Sequence, residues 1–202
     1  MTVALVVEGD TDLPYVRRLA ADAGLSPWTE IDCGGKSQLD LELPGYNGAA
    51  HGSPWFVLRD LDNDAPCASA LVASFDLPPA PWMCLRIAVR EIEAWALADR
   101  KAIAQFFAVR PMAVPSDPDA EADPTQTLVN LARSSTSVRI QRGMVPAARA
   151  SVSVGPLYES LIIEFGERAW DLDRASENSA SLRKARQRLR ELGARWRQHT
   201  GG

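Results

Sequence analysis

Three aspartates follow a short apolar run in the segment FVLRDLDND, residues 56–64. Asp60 and Asp62 are two residues apart, and on an extended chain that spacing places both carboxylates on one side. Like charges held so close require a counter-charge, and in proteins the counter-charge is often a divalent metal ion. The spacing therefore predicts a cation shared by Asp60 and Asp62, whereas Asp64 is more typical of a helix N-cap or a turn.

Further acidic residues come where other apolar segments end. Glu8 and Gly9 directly follow VALVV, and Glu91 and Glu93 follow MCLRIAV. If these segments are parallel strands, their carboxyl ends meet at one edge of the sheet, where ligands bind. Glu91 and Glu93 can also share an ion if the backbone is still extended there. The predicted metal ligands are Glu8, Asp12, Asp60, Asp62, Glu91 and Glu93.

The residue types favour a hard cation held by oxygen. Neither of the two histidines lies near an acidic cluster, and the three cysteines contain no C-x-x-C pair, which argues against zinc and against a disulfide framework. Carboxylates suit Mg²⁺ or Mn²⁺, as one ion or two. Such ions activate water and stabilise the leaving oxygen in phosphodiester hydrolysis. Lys36 is a candidate to stabilise charge on the scissile phosphate.

The elements that must position these acids alternate between strand and helix. Apolar, β-branched runs predict strands at 3–7, 28–33, 54–60 and 83–89. Helical periodicity predicts intervening helices at 11–24, 36–50, 67–75 and 91–107, the second of them broken near Pro44. This alternation predicts an α/β fold, Rossmann-like, with a mainly parallel four-stranded sheet and helices on both faces.

The second half of the chain predicts a different organisation. Residues 109–124 are rich in proline and acid and are interpreted as a linker between an α/β domain at 1–108 and a helical extension at 125–202. From Leu182 onward there are seven Lys or Arg side chains and one acid, so this segment carries +6 and the remainder −10. Leu182, Leu189, Leu192 and Trp196 form an apolar stripe that predicts docking of the last helix on the protein.

The basic residues have two open interpretations, a solvated helix face or a nucleic-acid contact. A basic patch would bind phosphates without regard to sequence and would weaken with salt. The candidate nucleic-acid contacts are Lys36, Arg142, Arg149, Arg183, Lys184, Arg186 and Arg190.

VVEGDTD followed by VLRDLDND resembles the Toprim domain of topoisomerases, bacterial primases and OLD-family nucleases. GGKS at 34–37 and AVREIEAWALADR at 88–100 are similar to a small bacterial Toprim-like family of unknown function that is related to OLD nucleases. The resemblance implies that Glu8 is the first Toprim glutamate and that Asp60 and Asp62 are the D-x-D pair. Asp12 stands where OLD nucleases have a second acid, and Glu91 and Glu93 resemble their later acidic pair.

The resemblance and the acids together predict a metal-dependent nuclease acting on DNA or RNA. The resemblance further implies an effector of anti-phage defence that works with an ABC- or AAA-type ATPase. The alternative is a non-catalytic module that binds metal or a partner and regulates the ATPase; phosphotransfer on an aspartate is disfavoured because it gives Glu8 no role. We expect a cytoplasmic protein, since no leader or apolar span is evident, and an oligomer is possible.

Overall fold

Residues 1–201 are described by a computed structural model. The chain forms two compact units, one of residues 1–89 with the segment from Ser181 onward, the other of Arg90–Ala180. This division differs from the predicted domains 1–108 and 125–202, because the chain leaves the first unit earlier and returns to it for the last helix.

The first unit contains the sheet. Its elements are β1 (Thr2–Val7), a 3₁₀ turn (Asp10–Asp12), α1 (Leu13–Asp22), β2 (Ser26–Asp32), α2 (Lys36–Ala49), β3 (Trp55–Asp60), α3 (Ala68–Ser74) and β4 (Met83–Ala88). The strands are all parallel and lie in the order β2-β1-β3-β4. The prediction of a Rossmann-like α/β fold with a four-stranded parallel sheet is therefore confirmed.

The apolar runs form strands because both of their faces are buried. Val3 and Leu5 on one face of β1, and Ala4 and Val6 on the other, have no exposed surface. Ala4 and Val6 pack in a cluster with residues of α2, including Leu39. Because both faces are buried, the sequence of a parallel strand is a continuous apolar run and does not alternate between apolar and polar residues.

The last helix, α10 (Ala180–Thr200), belongs with the sheet from Ser181 onward. Leu182, Leu189 and Leu192 of the predicted stripe are buried, which confirms that this face docks. The Trp196 ring lies 4.8 Å from the ring of Trp82, centroid to centroid.

The second unit consists of helices and 3₁₀ turns. They are α4 (Ile92–Ala98), α5 (Arg100–Phe106), the turns Pro111–Ala113 and Pro118–Ala120, α6 (Pro124–Arg133), α7 (Val138–Met144), α8 (Tyr158–Arg168) and α9 (Leu172–Asn178). Segment 109–124 lies within this unit, and its residues Val114 and Pro118 are buried. It is an internal, packed loop rather than a connection between the two units.

Two predicted helices differ from the observed ones. Helix α2 continues through Pro44, which is on the exposed side of the helix, where water can bond the carbonyl that lacks an amide partner. The single helix predicted at 91–107 is divided at Asp99, whose side chain accepts the Ala102 N–H and caps α5. Among the helices of residues 1–201, none is long and apolar enough to span a membrane.

Candidate functional site

The carboxyl ends of β1 and β3 adjoin at the candidate site. Glu8 directly follows β1, and its Oε1 accepts the backbone N–H of Asp60 at 2.7 Å. The two strands are parallel neighbours in the sheet. The E-G and D-x-D segments, far apart in sequence, are therefore brought to one edge of the sheet.

Arg59 is the buried cation of this edge. Its side chain is 2% exposed, and its guanidinium bonds both carboxylate oxygens of Asp40 on α2, each at 3.1 Å. Nη2 also donates to Asp64 at 2.6 Å, and Nε lies 3.4 Å from Glu8 Oε1. Nη1 donates to the carbonyl of Asp60. One side chain thus holds carboxylates from three different segments.

Lys36 is the second cation and is more exposed. Its Nζ donates to Asp62 at 2.8 Å and to both oxygens of Asp64 at 2.9 and 3.0 Å. The turn before it depends on glycine, since Gly35 has φ +123° and its N–H donates to the Glu8 carbonyl at 2.8 Å. That turn places the first residue of α2 beside the D-x-D segment.

Electrostatically the cluster keeps an excess of negative charge. Four carboxylates (Glu8, Asp40, Asp62 and Asp64) pair with two cations, Lys36 and Arg59, and with the neighbouring Asp60 included the formal charge is −3. Burial raises the pKa of Glu8, and the Asp60 N–H and Arg59 oppose that shift without cancelling it. The hydrogen bonds from Arg59 and Lys36 lower the pKa of Asp64.

Asp62 has an unusual backbone conformation, with φ +47°. L-residues rarely adopt this left-handed region, although aspartate and asparagine tolerate it better than most. The preceding residue, Leu61, is buried, and its N–H donates to the Ala88 carbonyl at 3.0 Å. The chain turns sharply after Leu61 so that the Asp62 carboxylate reaches Lys36. Local strain of this kind is concentrated at functional sites.

Asp12, another predicted ligand, is engaged in the turn after β1. Its side chain is buried and accepts the Gly9 N–H and the Thr11 hydroxyl, both at 3.3 Å. These bonds cap the 3₁₀ turn that precedes α1. The described contacts therefore give Asp12 a positioning role in the E-G turn.

Glu91 and Glu93 belong to the second unit. Glu91 is the N-cap residue of α4, and its Oε2 accepts the N–H of Thr125 at 3.2 Å and its hydroxyl at 2.9 Å. Glu93 is buried and accepts the Tyr158 hydroxyl at 3.0 Å. Burial, with the nearby Glu91 carboxylate, raises the pKa of Glu93 to about 7. Because Glu93 already lies in the helix, the extended backbone assumed for a shared ion is not found.

The donor chemistry of the first unit suits a divalent cation, but the present arrangement does not encircle one. Carboxylate oxygens are the ligands that Mg²⁺ and Mn²⁺ prefer. Across residues 1–201, no group of three or more His, Cys, Asp or Glu side chains is arranged to hold a metal ion. Lys36 bridges Asp62 and Asp64, so an ion at that position would have to replace its ammonium group.

Apart from Lys36, which belongs to the acid cluster, the predicted nucleic-acid contacts fall into two groups. Arg186 and Arg190 both bond the carboxylate of Asp22 at the end of α1, at distances of 2.5–3.0 Å, and so fasten α10 to the sheet domain. The other four arginine and lysine candidates outside the acid cluster are exposed: Arg142, Arg149, Arg183 and Lys184.

Comparison with family models, curated proteins and solved structures found no match. The Toprim and OLD-nuclease assignment therefore stays a prediction that rests on the motifs quoted above.

Arg59 and Asp40 were missed by the sequence reasoning. A signal for Arg59 exists, since it is the one basic residue in the otherwise apolar run before Asp60. Asp40 follows Lys36 by one helical turn, so both side chains lie on one face of α2. Asp64, which the sequence suggests as a cap or turn residue, also forms ion pairs with Arg59 and Lys36.

Proposed function

We propose that the chain is a metal-dependent nuclease that hydrolyses phosphodiester bonds of DNA or RNA with Mg²⁺ or Mn²⁺. The observation that carries this proposal is the hydrogen bond from the Asp60 N–H to Glu8, which brings the two acidic motifs to one sheet edge. Around that bond five carboxylates retain a formal charge of −3 after pairing with Arg59 and Lys36. An excess of this size in a half-buried cluster attracts divalent cations.

Each residue then has a distinct role. Glu8, Asp60 and Asp62 would hold the ion, which supplies activation of a water molecule and stabilisation of the leaving oxygen. Arg59 is buried and holds the cluster together, because its guanidinium contacts four surrounding groups: the carboxylates of Glu8, Asp40 and Asp64 and the carbonyl of Asp60. Lys36, once displaced from Asp62, would offset charge on the scissile phosphate.

The remaining candidates support this proposal less directly. Glu91 and Glu93 belong to the second unit, where they bond Thr125 and Tyr158, so their role as ligands rests on the resemblance alone. The exposed guanidinium groups of Arg142 and Arg149 suit phosphate contacts. An ATPase partner and a role in phage defence belong to the proposal through the resemblance alone. A cytoplasmic location belongs to it because the sequence shows no leader and no apolar span.

A second candidate is a non-catalytic module that binds a partner protein. The specific observation in its favour is that Lys36 and Arg59 already bond Asp62 and Asp64, which gives these acids a structural role without metal. Under this alternative the acids hold the loop after β3 in place, and their loss changes stability rather than cleavage.

Nicking of supercoiled plasmid, and cleavage of a labelled RNA, by the purified chain in Mn²⁺ tests the proposal. The active-site variant is Asp60→Asn with Asp62→Asn, which removes charge and keeps side-chain shape. Asp76→Asn is the matched control, because Asp76 has the same φ of +47° as Asp62 but lies after α3. It loses one carboxylate at an equally strained position.

The proposal predicts cleavage by the wild type and by Asp76→Asn, and no cleavage when a chelator is present. The cleavage rate of the double variant should be at least 100-fold lower, as expected for removal of roughly 3 kcal/mol of transition-state stabilisation. Cleavage that survives in the double variant would assign the activity to another site or to a contaminant. Absence of cleavage of both substrates by all three proteins would favour the binding module.

A further inference from the structure

Strand β4 forms one edge of the sheet, so one side of its backbone is not covered by another strand. On the inner side, the Leu61 N–H donates to the Ala88 carbonyl at 3.0 Å. Because bonding alternates along a parallel strand, even-numbered residues of β4 bond β3, and Leu85 and Ile87 direct their N–H and C=O groups outward. Such an edge can accept an extended peptide as an additional strand.

A groove accompanies this edge on both sides. One cavity of about 590 Å³ lies between β4 and α10, and its lining includes Cys84, Leu192 and Arg195. A second cavity of about 590 Å³ lies between β4 and α3, and its lining includes Val72, Ile87 and Lys184. Leu85 and Arg86 line both cavities, so the two form one feature, here called the β4 groove.

The β4 groove is basic and contains a cation with an unused donor. Arg86, Lys184, Arg188 and Arg195 line it, against a single acid, Glu191, which bonds Arg188 at 2.9 Å. The Nε of Arg86 is buried and has no hydrogen-bond partner within residues 1–201. Buried polar groups of this kind are normally satisfied, so the Arg86 guanidinium keeps donor capacity for an acceptor that enters the groove. Burial lowers the pKa of Arg86, and Arg188 adds like-charge repulsion.

The chemistry of the groove favours a peptide over a nucleic-acid strand. Binding of single-stranded nucleic acid relies on aromatic side chains on which bases stack, and none of the residues lining the two cavities is aromatic. The outward backbone groups of Leu85, which is partly exposed, can bond an extended peptide, whereas Ile87 is 3% exposed and contributes less. The apolar side chain of Val72, which is 40% exposed, provides a surface for side chains that alternate with acids.

We propose that the β4 groove binds an extended acidic segment of a partner protein, which adds a strand beside β4 and places a carboxylate on Arg86. This proposal goes beyond the nuclease activity and does not depend on it.

Fluorescence anisotropy with a labelled synthetic peptide of alternating valine and glutamate tests this inference. Two control peptides carry glutamine in place of glutamate, or N-methyl groups on alternate backbone nitrogens. The protein variants are Arg86→Gln and, as a control with the same loss of charge, Lys101→Gln, an exposed residue of α5 that lines neither cavity. Since the N-methylated peptide is tested on the wild-type chain, the backbone contribution is measured without any risk to folding.

We expect saturable binding of the acidic peptide that weakens about tenfold or more with Arg86→Gln, as for loss of one charge-assisted hydrogen bond. Glutamine or N-methyl substitution in the peptide should weaken it comparably, and Lys101→Gln should leave it unchanged. Binding that is absent up to about 1 mM, or equal in Arg86→Gln, would overturn the proposal. So would Arg86-dependent binding of a single-stranded oligonucleotide without binding of the peptide.

Discussion

Substitution of Arg59 by methionine should destabilise the first unit strongly. Methionine retains the apolar stem and removes the charge, so packing is largely preserved. The Arg59 side chain is 2% exposed and bonds Asp40 and Asp64, with Glu8 at 3.4 Å. Removal of the cation leaves Glu8, Asp40 and Asp64, whose side chains are 15–32% exposed, without their shared counter-charge; the upper limit of the cost is that of a broken buried ion pair, about 3–5 kcal/mol. We expect that loss in the free energy of unfolding near neutral pH.

Arg17→Met is the matched control for this prediction. Arg17 bonds both oxygens of Glu30 at 2.7 and 2.6 Å, a fork similar to that between Arg59 and Asp40, but its side chain is 43% exposed. Exposed pairs contribute about 0.2–1 kcal/mol. The two variants therefore compare one geometry in two environments.

Urea unfolding is the appropriate assay, because guanidinium salt would screen the charges being measured. The midpoint should fall much further for Arg59→Met than for Arg17→Met, and the melting temperature should fall by roughly 6–20 °C against at most about 4 °C. The difference should shrink in acid, because Arg59 and Lys36 hold the pKa of Asp64 below its ordinary value and that stabilisation is lost as Asp64 takes up a proton. Equal, small losses in both variants would refute the reasoning, since they would mean that water already neutralises the cluster.

Three other predictions concern single side chains. Burial would raise the pKa of Asp22, but the hydrogen bonds from Arg186 and Arg190 lower it to about 2. The stabilisation from ionised Asp22 is therefore present above about pH 4 and is lost as the pH falls towards 2. When the free energy of unfolding is measured across this range, the wild type should lose about 1–2 kcal/mol that Asp22→Asn does not lose. Burial raises the pKa of Glu93 to about 7, so ionisation of Glu93 reduces the stability of the fold as the pH rises from about 4.5 through 7. Glu93→Gln should therefore raise the free energy of unfolding at about pH 8 by roughly 1–3 kcal/mol, measured by thermal melts. No gain at that pH would contradict the prediction. Lys36→Met removes the ammonium group that competes with a metal ion for Asp62. Calorimetry should therefore show Mn²⁺ binding about three- to tenfold more tightly to the variant. Weaker binding would argue against a metal ion at Asp62.

The fold and part of the site could be predicted because they depend on local patterns. Buried strands of a parallel sheet are apolar on both faces, so β1, β3 and β4 appear as short apolar runs with acids at their ends. Parallel strands also bring those ends together, which is why Glu8 and Asp60 could be expected to meet.

The counter-charges could not be predicted in the same way. The sequence does not show whether Arg59 faces the acids or solvent. That depends on α2, because this helix brings Asp40 into contact with the Arg59 guanidinium. The partners of the arginines on α10 could not be predicted either, because an arginine side chain can be solvated, bind a phosphate or pair with an acid. The pairing of Arg186 with Asp22 joins residues 164 positions apart, a separation at which sequence pattern alone gives no signal.

Binding of Mn²⁺ to the purified chain, measured by calorimetry near neutral pH, tests the central claim most directly. We predict one or two saturable ions in the wild type and in Asp76→Asn, and loss of at least one of them when Asp60→Asn and Asp62→Asn are combined. Saturable binding that is unchanged in the double variant, or absent from all three proteins up to several millimolar Mn²⁺, would contradict the account. The acids would then serve only to hold Arg59 and Lys36 at the sheet edge.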